Sequence, residues 1–287
     1  MKIHQPEDGN FADTQTGIVM FNQFGGVVSQ DTGRDAQVLA NEYNLPVIAV
    51  NRPGTGAVMP SGRLADELST PDGYLVHMSR MGKDIDREAD ALGITKLIAA
   101  GRSAGGLGAL ALARSETVGS LSAVFAAEPV GCEQMPLSDG KKRYSDYLKE
   151  QKELLANAAD EELVKPLPPG LPLFPAIGRL LSIPPAMFID KFHNQRLFAS
   201  DVALQYAEYI AEHMGSVDTT LMFAEHSMVA SPEVYDREIF PVFVSRESTA
   251  PTRFTTKKPN GTVHASFDNR DYMSQVIEPT IERTLAR

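Results

Sequence analysis

The chain has 287 residues, a formal net charge of −10 and 43% apolar residues, enough for one large domain or a core with an inserted unit. Its longest basic run is Lys141-Lys142-Arg143, which argues against nucleic acid and against an anionic membrane surface as partners. The single cysteine, Cys132, excludes an internal disulfide and a multi-cysteine metal site and fits a reducing, cytoplasmic setting.

Residues 1–16 are polar and read as an arm or an edge strand, without the apolar stretch of a signal peptide. No window approaches the roughly 20 apolar residues of a membrane span, so stable membrane association is not expected. The run Gly17-Ile18-Val19-Met20-Phe21 reads as a buried strand, and Asn22-Gln23-Phe24-Gly25-Gly26 as the loop leaving it. A helix is expected over 33–43, stopped by Asn44, then a strand over 46–50 that ends in the loop Asn51-Arg52-Pro53-Gly54-Thr55-Gly56. Apolar residues at Leu75, Met78, Met81, Ile85 and Ala89 have helical spacing, which predicts a helix over 73–92.

The apolar run Leu97-Ile98-Ala99-Ala100 leads into Gly101-Arg102-Ser103-Ala104-Gly105 and then an alanine- and leucine-rich helical stretch. A strand, a sharp turn and a helix with G-x-S-x-G at the joint form a nucleophile elbow. The glycines allow the serine backbone to take up a strained turn against its neighbours. An ordinary strand-to-helix turn with a capping serine carries the same letters. A further apolar run over 121–127 closes with Glu128-Pro129. Continuous apolar strands alternating with helices indicate a parallel sheet covered on both faces, an α/β class.

That alternation breaks over 133–200, where a charged helical stretch (139–162) precedes the proline-rich PLPPGLPLFPAIGRLLSIPP. A structureless loop of that length is rare inside a compact domain, so the segment reads as an inserted, mainly helical cap. Residues 1–132 and 201–287 then make the core. A helix to about Met214 follows, with Ser200 as its cap, Gly215 as its stop, and Val202, Tyr206, Ile210 and Met214 inward. A strand over 219–224, then Glu225-His226-Ser227, a short strand over 252–256, His264 and a helix over 270–285 complete the chain.

In this order the parts resemble the α/β-hydrolase family. NQFGG is similar to its HGFGG loop, NRPGTG to its DxRGxG turn, GRSAG to its elbow and AEHS to its GEHD segment, and a late histidine precedes the last helix. The resemblance implies a mostly parallel sheet with helices on both faces and Ser103 as nucleophile, with the late His264 as general base. His226, which also follows a strand, competes for the role of base. The family's acid position is Ser227 here, and a hydroxyl cannot stabilise an imidazolium as a carboxylate does. Some haloalkane dehalogenases and lipases of the family take the acid from the preceding strand end, which points to Glu128, with Glu225 as the other candidate. The residue after the nucleophile, Ala104, supplies one oxyanion amide, and the family pattern puts the other on Phe24.

The resemblance implies a serine hydrolase cleaving a carboxylic ester of a small, partly apolar substrate, with Phe24, Arg102 and His226 in contact with it. Arg52 reads as a loop tie and Cys132 as a small buried residue. The sequence has no G-x-G-x-x-G after a strand and no H-x-x-x-H or Asp-rich loop, so neither cofactor nor metal is expected. A small molecule is the expected partner, and a homodimer stays open. Two rivals also stay open: a lyase or haloperoxidase-like enzyme of the same fold, and a ligand-binding protein that kept the fold without catalysis.

Overall fold

The computed structural model describes residues 1–7, 15–22, 31–53, 66–158, 195–224, 254–257 and 270–287, with the separate positions 227, 229, 234, 237, 238 and 241. Its elements in order are β1 (Lys2–His4), β2 (Thr16–Phe21), α1 (Asp31–Tyr43), β3 (Val47–Val50), α2 (Pro71–Ala91), β4 (Lys96–Arg102) and α3 (Ala104–Ser115). They continue as β5 (Leu121–Ala127), α4 (Leu137–Ala158), α5 (Val202–His213), β6 (Asp218–Met222), β7 (Phe254–Lys257) and α6 (Arg270–Leu285).

The strands form one seven-stranded sheet in the order β1-β3-β2-β4-β5-β6-β7. All neighbours run parallel except β1, which lies antiparallel to β3 at the edge of the sheet, the second of the two readings of the N-terminal residues. Successive residues of a strand face opposite sides, and both sides are buried. Val19, Phe21, Ile48, Leu97 and Val124 pack against α2, α3 and α5. Ile18, Met20, Val47, Ile98 and Phe125 pack against α1 and α6, whose Met273, Ile277 and Ile281 face them.

Local chemistry explains the element ends. Asn44 halts α1 with φ of 57°, a left-handed conformation that asparagine tolerates. Thr70 caps α2 by accepting from the Gly73 N–H at 3.2 Å, with Pro71 starting the helix and Asp72 in its first turn. The helix buries Tyr74, Met78, Ile85 and Ala89, one stripe at helical spacing. One expectation fails: Ser200 does not cap α5. Its hydroxyl donates to the Leu197 carbonyl at 2.9 Å, closing the helical turn that ends just before α5, and Asp201 occupies the cap position.

Of the segment expected to be an insertion, residues 159–194 lie outside the described residues. Residues from both of its ends pack against the sheet domain. Tyr144, Tyr147, Leu197 and Phe198 are buried in the same cluster as α3 and α5, with the Tyr144 and Phe198 rings edge-on at 5.4 Å.

At the base of β6 the buried Asp218 carboxylate accepts from Arg283 Nε at 2.9 Å and Arg287 Nη2 at 3.2 Å, tying α6 to the sheet. Removing the carboxylate strands two guanidinium groups, but both are partly exposed and can rehydrate. Asp218→Ala is therefore expected to cost about 2 kcal/mol, below the usual loss for a fully buried pair. Urea unfolding measures this, and a loss below about 0.5 kcal/mol would show the pair to be solvent-screened.

Candidate active site

Ser103 and Glu128 both lie at the C-terminal edge of the sheet. Ser103, the residue between β4 and α3, has φ of 54° and ψ of −125°, which L-residues adopt only at a cost. Its hydroxyl makes no capping bond to the helix, so it is not an ordinary N-cap serine. The turn is held by Ser103 N–H donating to the Ala127 carbonyl at 2.8 Å, and the side chain is almost fully enclosed, at 4% exposure.

Two glycines make that turn possible. A Cβ on Gly101 would lie 2.2 Å from the Gly105 carbonyl oxygen, and a Cβ on Gly105 would lie 2.6 Å from the Phe21 carbonyl oxygen. Both obstacles are backbone and cannot swing aside. Gly101→Ala is expected to lose about 3 kcal/mol of stability through the forced shift of the elbow. A melting temperature within a few degrees of wild type would contradict this.

The strand register sets the next residue in place. Arg102 pairs with Ala127 and Ala127 with Met222, so Ser103, Glu128 and Phe223 follow side by side along the edge. Glu128 is fully buried and has φ of 50°, in the left-handed region that glutamate rarely enters. Its Oε1 accepts from the Ala224 N–H at 2.5 Å, and its Oε2 accepts from the Ser227 hydroxyl. The carboxylate of β5 therefore reaches the loop that leaves β6.

Other candidates separate. Ala104 opens α3 and is buried, with its backbone at the elbow. The Arg102 side chain is nearly buried, 3.7 Å from Asp35, in a pocket with Met20, Leu39 and Met273 on the α1 and α6 side of the sheet. Phe24, Glu225, His226 and His264 lie outside the described residues.

Two contacts near the candidate site had no sequence signal strong enough to find them. Asn22 stands where the resemblance puts histidine, and its side-chain oxygen accepts from the Arg52 N–H at 2.6 Å. This ties the loop after β2 to the loop after β3 through the backbone of Arg52, whose side chain is buried. The second is the Ser227–Glu128 contact. Cys132 is buried and donates to the Pro129 carbonyl at 2.8 Å. Among the described residues no cluster of three or more His, Cys, Asp or Glu side chains could hold a metal, and no helix is long and apolar enough to cross a membrane.

No family model and no curated protein matches the sequence. Solved structures do. Proline iminopeptidase from Mycobacterium smegmatis superposes with a TM-score of 0.56 at 15% identity over 99% of this chain and 94% of that one. A hydrolase from Oleispira antarctica gives 0.56 at 16% identity over 100% and 94%. A soluble variant of monoglyceride lipase from Saccharomyces cerevisiae, in complex with a substrate analogue, gives 0.58 at 15% identity over 98% and 89%. At such identities the likeness is one of fold.

Proposed function

We propose that this chain, which has the α/β-hydrolase fold, is a serine hydrolase cleaving a carboxylic ester of a small, partly apolar substrate. The observation that carries the reading is the placement of a strained, enclosed Ser103 beside a buried, doubly hydrogen-bonded Glu128 along the C-terminal edge of the sheet. A hydroxyl is a poor nucleophile unless a base takes its proton. His264 takes that proton as Ser103 Oγ bonds to the ester carbonyl carbon. The oxyanion that forms is held by the Phe24 and Ala104 amides. The carbon–oxygen bond to the alcohol breaks, and His264 returns the proton to the leaving oxygen. Water, deprotonated by His264, then attacks the acyl-enzyme; the bond to Ser103 Oγ breaks, His264 returns the proton to Oγ, and the acid leaves. Glu128 holds the His264 ring and stabilises its charged form.

The names of the three superposed proteins, an iminopeptidase, a hydrolase and a lipase, are compatible with acyl transfer and leave the bond type open. Ser227 in the family's acid position is the feature that keeps a lyase or haloperoxidase-like enzyme of the same fold open. A carboxylate supplied from β5 weakens that alternative. The test is labelling by a fluorophosphonate probe together with turnover of p-nitrophenyl esters from acetate to octanoate. Labelling at Ser103 with ester turnover is expected. Inertness to the probe and to every ester would overturn the reading.

A further inference from the structure

We propose that Ser227 is a positioning residue for the Glu128 carboxylate, and that the hydroxyl at 227 is the partner a relocated acid requires. The inference rests on the serine-hydrolase reading above.

Ser227 Oγ accepts from the Val229 N–H at 3.2 Å and donates to Glu128 Oε2. A serine hydroxyl has one proton to give. The amide of Val229 occupies its oxygen and leaves that proton directed at the carboxylate. Glu128 Oε1 meanwhile accepts from the Ala224 N–H at 2.5 Å. Both oxygens are therefore fixed by donors from the same loop, and two fixed oxygens define the plane and rotation of the carboxylate. That restraint holds a glutamate whose backbone sits at φ of 50°, a conformation that persists only where its surroundings over-determine it.

The identity of residue 227 matters because of what an acid there would do. An aspartate at 227 would bring a second carboxylate into hydrogen-bond contact with Glu128. Two carboxylates at that distance cannot both stay ionised, so they would share a proton and neither would serve well as a fixed negative charge. A hydroxyl turns the competitor into a donor. The same geometry predicts that the acid can be moved back across the contact. With glutamine at 128 and aspartate at 227, the amide becomes the donor and the aspartate the charged acceptor.

Kinetics on p-nitrophenyl butyrate, with the second-order rate of fluorophosphonate inactivation as a substrate-independent readout, test this on the full chain. Ser227→Ala is expected to lower kcat and the inactivation rate about tenfold, the effect of losing one hydrogen bond to a charged group, with KM within about twofold. Ser227→Thr keeps the hydroxyl and should recover most of the rate. Ser227→Asp should fall below Ser227→Ala. The double variant Glu128→Gln/Ser227→Asp should exceed Glu128→Gln by at least about tenfold. If Ser227→Ala loses its thermal transition, the double variant decides. A slow Glu128→Gln with wild-type rates in Ser227→Ala and no gain in the double variant overturns the role of Ser227 alone. A wild-type rate in Glu128→Gln overturns the acid assignment and the role of Ser227 with it.

Discussion

Ser103→Ala is expected to lower ester turnover by roughly four to six orders of magnitude while leaving the fold in place. The substitution removes only Oγ. Alanine keeps the Cβ, so the strain at φ of 54° is unchanged, and the bond from residue 103 N–H to Ala127 is backbone. The hydroxyl makes no capping bond whose loss would loosen α3. Melting temperature is therefore expected to stay within a few degrees. Activity falls because nothing else at the elbow can form the acyl bond; the oxyanion amides alone leave a small residual rate over water. Kinetics on p-nitrophenyl butyrate, active-site titration with a fluorophosphonate and a thermal melt of both proteins measure the three quantities. Retention of more than about 1% of wild-type kcat with an intact melt would show that Ser103 is not the nucleophile.

Much of the core was legible because its signals are local. The β5 run over Leu121–Ala127 and the last helix over Arg270–Leu285 appear where apolar pattern and flanking residues put them. Asn44 ends α1 through its own conformational tolerance, which needs no distant partner. The elbow was legible for the same reason, since the close approach that demands Gly101 and Gly105 occurs within five residues of chain and one adjoining strand. Ser200 shows the limit of that logic. A serine two residues before a helix has the right letters for a cap, but its hydroxyl found a nearer acceptor in the turn before it, the Leu197 carbonyl.

The site depended on contacts that no local pattern encodes. Asn22 and Arg52 are joined across two loops, and Glu128 meets Ala224 and Ser227 from almost a hundred positions earlier in the chain. Residue types narrowed the acid to Glu128 or Glu225. Strand register is what sets Glu128 beside the elbow, while Glu225 lies outside the described residues. Asn22 also changes the reading of the first loop. Where the resemblance puts histidine, the Asn22 amide oxygen accepts directly from the Arg52 N–H and ties the two loops. The segment expected to be an insertion has no comparable anchor in pattern, because prolines separated by apolar residues fit a loop as well as a lid.

Glu128→Gln is the second large expected effect, a loss of about 10³- to 10⁴-fold in kcat, against less than about tenfold for Glu225→Gln. Glutamine is nearly isosteric and its oxygen can still accept the Ala224 N–H, which is the arrangement the amide must choose, since a turned amide would face one donor with another. The NH₂ then lies toward Ser227, whose hydroxyl can turn to accept it in place of donating. The pocket is thus filled and hydrogen-bonded, and a stability cost of about 1 kcal/mol is expected from exchanging a charged acceptor for a neutral one. In the proposed mechanism, what disappears is the negative charge that stabilises the imidazolium and holds its ring in the right tautomer, and that loss falls on kcat. Michaelis curves for wild type, Glu128→Gln and Glu225→Gln, with melts of each, separate the cases. A crippled Glu225→Gln beside a near-normal Glu128→Gln would move the acid to the loop after β6 and leave Glu128 as a structural anchor for Ala224 and Ser227.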